Sequence, residues 1–92
     1  MGGGGVSLSR HHQKTLRVIF RDPVPANVSW LDIESLLRAL DAEVSEGRGS
    51  RVRVHLNGVR AVFHRPHPRR EADRGAVRSV RQFLEEAGIE PC

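Results

Sequence analysis

Tyrosine is absent from this chain, and the aromatic residues are only Phe20, Trp30, Phe63 and Phe83. So few rings leave little material for a base-stacking platform of the kind that grips single-stranded nucleic acid. Cysteine occurs once, as Cys92 at the last position, so no internal disulfide can staple the fold, and a reducing cytoplasm is the expected setting. No run of 18 apolar residues exists, which excludes a membrane-spanning helix and gives the expectation of no membrane association. The opening Met1-Gly2-Gly3-Gly4-Gly5 lacks a basic segment leading into an apolar one and does not read as a secretory signal. Ninety-two residues suffice for one domain with a modest core.

Lysine is nearly missing too. Lys14 is the only one, and the other fourteen basic residues are arginine, whose planar fork of donors matches a phosphate. The most informative absence is local. Between Arg48 and Arg70 there are seven arginines and no acid, while the remaining eight basic residues are set against all eleven acids, a balance of −3. An ordinary solvated face mixes the two signs. A cationic block inside a folded segment points to a polyanion such as RNA, or to an acidic protein.

What is present reads as an α+β chain. Residues 1–9, rich in glycine and serine, are expected to be flexible. A short helix is expected over Ser9–Phe20, ended by Asp22-Pro23-Val24-Pro25. Ser29 and Asp32 form an S-x-x-D capping box, and Trp30, Ile33, Leu36, Leu37 and Leu40 recur at helical spacing to about Asp41. Ala42–Glu46 reads as an edge strand and Gly47-Arg48-Gly49-Ser50 as a turn. Arg51–Leu56 alternates strictly, Asn57-Gly58 is a strong two-residue hairpin signal, and Val59–His64 returns. That turn fixes the register. Val52, Val54 and Leu56 face Phe63, Ala61 and Val59 on the core side. Arg51, Arg53 and His55 face His64, Val62 and Arg60 on the other. A last helix is expected over residues 74–87, with Asp73 as N-cap, an apolar stripe of Val77, Val80, Phe83 and Leu84, and Gly88-Ile89 closing it. Two helices should therefore cover one face of a three-stranded antiparallel sheet and leave the other open.

These features in this order resemble the HicA toxins of bacterial toxin–antitoxin pairs. The resemblance is carried by the short strand, Gly49-Ser50, the arginine-rich hairpin, Pro66-His67, Gly75-Ala76-Val77-Arg78-Ser79-Val80 and Ala87-Gly88-Ile89. It covers about residues 29–91, with residues 1–28 expected as a flexible N-terminal extension holding a possible short helix. It implies a double-stranded-RNA-binding-domain-like fold, metal-independent cleavage of mRNA, no cofactor, and inhibition by a HicB-like antitoxin. The chain departs from the family in two respects. The family's Gly-Ser-His triplet, whose histidine is taken as catalytic, reads Gly49-Ser50-Arg51, and the last helix is about one turn longer.

Cutting RNA without a metal needs a base for the 2′-hydroxyl, an acid for the leaving oxygen and donors for the charged transition state. Histidine suits the first two roles and arginine the third. His64 is the leading catalytic candidate, because it lies across from Arg51, where the family carries its histidine. His67, in the Pro66-His67-Pro68 turn, is the second; a structural hydrogen bond there is the alternative. Gly49, Ser50, Arg51, Arg53, His55, Arg60 and Arg65 are the candidate RNA-binding residues. His64 and His67 also spell H-x-x-H, but Pro66 disturbs the geometry between them, and no metal site is expected. His11 and His12 read as solvated, and Trp30 as core. A non-catalytic RNA- or partner-binding module on the same fold is the alternative, since Arg51 replaces the usual histidine.

Overall fold

The structure is a computed structural model and describes residues 8–91. The expectations for residues 1–7 and for Cys92 lie outside it. The elements in chain order are α1 (Arg10–Ile19), β1 (Val28–Ser29), α2 (Trp30–Ala39), β2 (Glu43–Glu46), β3 (Arg51–Leu56), β4 (Val59–His64), β5 (Glu71–Ala72) and α3 (Arg74–Glu86). β2, β3 and β4 form an antiparallel sheet in that order, and β1 pairs with β5 in a separate two-stranded ribbon.

The sheet has the register that the turn dictates. Asn57 and Gly58 both take positive φ (51° and 82°), which matches the twist of the flanking strands. Leu56 pairs with Val59, Val54 with Ala61 and Val52 with Phe63, while Arg51 pairs with His64. Val52, Val54, Leu56 and Phe63 are buried, and the alternate residues are not.

α2 and α3 pack on the apolar face, joined by α1, which rests on α2 and α3. The helical layer thus has three members where two were expected. The third is held by burial of Leu16 and Ile19, which joins α1 to the main core despite its few apolar positions. Trp30, Phe63 and Phe83 form a chain of edge-to-face contacts through that core, with centroids 6.1 and 5.7 Å apart.

Each helix has the caps its sequence provides. Ser9 accepts from the His12 N–H, and Asp73 from the Ala76 N–H at 2.8 Å. α3 ends in a Schellman turn: Gly88 has φ 80°, Ile89 N–H donates to the Leu84 carbonyl and Gly88 N–H to that of Glu85. At α2 the capping box is only half made. The Ser29 hydroxyl accepts from the Asp32 N–H, but the Asp32 carboxylate reaches His11 of α1 at 3.0 Å. His12 likewise meets Ser9 and Ser35 through its two ring nitrogens. The paired histidines are therefore part of the α1–α2 seam, not free in solvent, because docking of α1 places polar groups of α2 opposite them.

The ribbon of β1 and β5 has no periodicity to announce it. Val28 pairs with Ala72, Ser29 with Glu71, and Trp30 N–H donates to the Arg70 carbonyl at 2.9 Å. These bonds draw the Pro66–Arg70 loop back toward the start of α2.

Candidate nucleic-acid interface

The open face follows from the period of two. Arg51, Arg53 and His55 of β3 alternate away from the core, and Arg60, Val62 and His64 of β4 stand beside them. On β2, Glu43 pairs with His55 and Ser45 with Arg53. Arg51, Arg53, Arg60, Val62 and His64 are exposed, and His55 is half-buried. A shallow depression of about 550 Å³ runs over this face, lined by Glu43, Ser45, Arg53, His55, Arg60 and Val62 among others. Its basic side chains are not evenly free. His55 Nδ1 lies 3.3 Å from the Glu43 carboxylate, while no ion pair engages Arg51, Arg53 or Arg60 among the described residues. Those three guanidiniums make the unneutralised part of the face.

At the end of the sheet, Arg51 and His64 are cross-strand partners, so their side chains stand side by side on the open face. Gly49, with φ 62°, and Ser50 turn the chain into β3. They line a second depression, of about 460 Å³, with Trp30, Glu34, Arg65, His67 and Arg70. His64 lines a different one, of about 350 Å³, with Phe63, Gly75 and Ser79. The two candidate histidines thus belong to separate depressions either side of Arg65: His64 goes with Arg51, His67 with Ser50.

Arg65 does not project onto the open face with the other arginines. Its guanidinium turns toward α2, where Nε donates to Glu34 Oε2 at 2.7 Å and a second nitrogen donates to Oε1 at 3.2 Å. Glu46 is 3.4 Å away. Its backbone N–H donates to the Ser50 carbonyl at 2.9 Å, tying the end of β4 to the Gly49-Ser50 turn. Glu34 is buried and also accepts from the Trp30 indole N–H. The hydrogen bond from Arg65 holds the Glu34 carboxyl below the usual carboxylate range; burial opposes it, while Trp30 and the charges of Arg65 and Arg38 assist. The same hydrogen bond pushes Arg65 upward.

Sequence reasoning passed over Glu34. The signal that could have found it is its place one turn after Trp30 on a stripe otherwise apolar, where a carboxylate must find donors.

No described helix is long and apolar enough to cross a membrane. The fold is α+β, a three-stranded antiparallel sheet with three helices, consistent with the double-stranded-RNA-binding-domain-like class. Comparison with protein families gives a match over residues 30–89, from the first residue of α2 to Ile89, to the HicA toxin of bacterial toxin–antitoxin. The chain belongs to the HicA toxin family and is a toxin of a toxin–antitoxin system. No curated protein and no solved structure shows significant similarity to it.

Proposed function

We propose that this toxin acts in the cytoplasm on mRNA, binding it across the open face and cutting it without a metal until a HicB-like antitoxin blocks it. The observation that carries the reading is the cross-strand pairing of His64 with Arg51. The family's chemistry wants an imidazole at the position of Arg51, and an imidazole stands beside it on the neighbouring strand. In this reading His64 takes the 2′-hydroxyl proton, and the oxygen attacks the adjacent phosphorus. Arg51 and Arg53 bind the phosphate oxygens as negative charge builds on them. The departing 5′-oxygen takes its proton from solvent, and His67, in the separate depression beyond Arg65, is the next catalytic candidate. Gly49, Ser50, His55 and Arg60 contact backbone phosphate, and Arg65 borders that surface while braced on Glu34. The segment before residue 29 extends the family's unit at its N-terminal side and joins its core through α1.

A second reading is favoured by Arg51 itself. A guanidinium cannot act as a base near neutral pH, and it occupies the family's catalytic position. The chain would then be a binding module that holds RNA or its partner without cutting. Cleavage assays on the purified protein separate the two. His64→Ala is expected to lower the rate on the order of 10²–10⁴-fold with RNA affinity largely kept, as loss of a general base does. Arg51→His should keep or raise the rate. An inert wild type made active by Arg51→His establishes the binding module; undiminished cleavage by His64→Ala overturns the assignment and moves it to His67.

A further inference from the structure

β4 is an edge strand, and two backbone bonds fix which way its polar groups point. Gly47 N–H donates to the Arg51 carbonyl, so Arg51 directs its backbone toward β2, and so by alternation do Arg53 and His55. Val52, Val54 and Leu56 then direct theirs toward β4, where Phe63, Ala61 and Val59 reciprocate. Arg65 N–H, bonded to Ser50, continues that series. The N–H and carbonyl groups of Arg60, Val62 and His64 therefore point away from the sheet, toward no other strand among the described residues.

The two edges of the sheet differ. β2 is four residues long and bounded by Glu43 and Glu46, a short charged edge of the kind that resists pairing. β4 is six residues long, its register is unbroken, it contains no proline, and Val62 is 54% exposed. Beside it lies the depression of about 350 Å³, whose opposite wall is the first two turns of α3, where Gly75, Ala76 and Ser79 present little bulk.

We propose that this groove receives an extended acidic strand of a partner protein, added antiparallel or parallel to β4 as a fourth strand of the sheet. Charge decides the occupant. The side chains that border an added strand on the open face are Arg60, Val62 and His64, which call for acid, apolar and acid in alternate positions. A second copy paired through β4 about Val62 sets Arg60 against the copy's own histidine strand end, with no acid to meet it. RNA has no ladder of amides to offer, and Glu71 and Asp73 at the groove's far end repel phosphate. The acids of the added strand point to the open face, away from both. The proposal concerns the protein partner that the family implies and stands whether or not this chain cuts RNA.

The test is a nuclear magnetic resonance titration of the full-length protein with the capped heptapeptide Thr-Glu-Thr-Val-Thr-Glu-Thr and its counterpart with lysine in place of glutamate. The expected result is a shift and at least tenfold slower exchange of the Arg60, Val62 and His64 amides, with the acidic peptide binding at least tenfold more tightly. Val62→Pro removes the central outward N–H and should abolish the effect. Arg60→Glu should reverse the preference toward the lysine peptide, and it decides the matter if the proline variant fails to fold. Equal binding of the two peptides, absence of binding at millimolar concentration, shifts confined to Arg53 and His55, or protection of the same amides by self-association alone would each overturn the proposal. Filter binding of RNA by the same samples reports on the open face separately.

Discussion

Glu34 accepts hydrogen bonds from Trp30 and Arg65 in a buried setting, so the carboxylate is worth more to the folded chain ionised than protonated. Its folded pKa lies below its unfolded one, so this stabilisation is present above the unfolded value of about 4.3 and is lost as pH falls through the folded value. The urea midpoint should therefore drop on acidification below about pH 4.3, and drop less in Glu34→Gln, whose side chain cannot titrate. Glu34→Ala strips the Trp30 N–H of its acceptor and should cost about 1–3 kcal/mol in denaturant unfolding at neutral pH. Arg53, by contrast, is exposed with no ion pair among the described residues, so Arg53→Ala should leave the unfolding midpoint unchanged while weakening RNA binding. A shared pattern at the two positions would mean that the Glu34–Arg65 pair is not structural.

At the scale of elements, the hairpin and α1 make opposite cases. The hairpin tip needs positive φ at Asn57, and Asn57 Nδ2 also donates to the Ala87 carbonyl at 2.9 Å, fastening the tip to the C-terminus of α3. Asn57→Ala loses the side-chain bond and strains the turn, roughly 0.5–1.5 kcal/mol for the one and 1–2 for the other. α1 is short and mostly polar, yet Ile19 is wholly buried in the shared core. Ile19→Ala should cost about 2–5 kcal/mol, as a large-to-small change in a closed core does. A loss below about 1 kcal/mol, read by thermal or urea unfolding, would mean that α1 folds as an appendage.

Taken whole, the molecule sets three unpaired guanidiniums where the sheet is bare. The acid-free stretch from Arg48 to Arg70 spans β3, the hairpin, β4 and the loop after it; among the described residues Arg51, Arg53 and Arg60 stand on the open face, Glu43 of β2 meets only His55 there, and Arg65 turns away to Glu34. RNA affinity carried by such contacts should fall steeply as salt rises, through counterion release. A filter-binding titration across salt concentrations checks this, and a flat affinity would contradict it. Removing charge at Arg51 or Arg53 should cost more affinity than at Arg17 or Arg21, which lie in and just beyond α1. Equal losses would show that net charge, not the open face, governs binding.

The local code fixed the hairpin, its register and the caps of α3, because each depends on residues adjacent in sequence: Asn57-Gly58, strict alternation from Arg51, Asp73 and Gly88-Ile89. That register alone brought Arg51 and His64 together and named the open face. Three features waited on the tertiary structure. The ribbon of β1 and β5 is too short to leave a period and forms only because α2 and α3 hold Val28 near Ala72. The paired His11 and His12 find partners only once α1 lies on α2. Arg65 sits in the same basic run as Arg60 and Arg53, but its N–H continues the ladder to Ser50, so the alternation that carries Phe63 inward turns Arg65 to the helical side as well, and the packing of α2 sets Glu34, a residue 31 positions earlier, against it there. Sequence proximity sets turns, caps and alternation; which charge meets which across such a separation depends on how the helices pack.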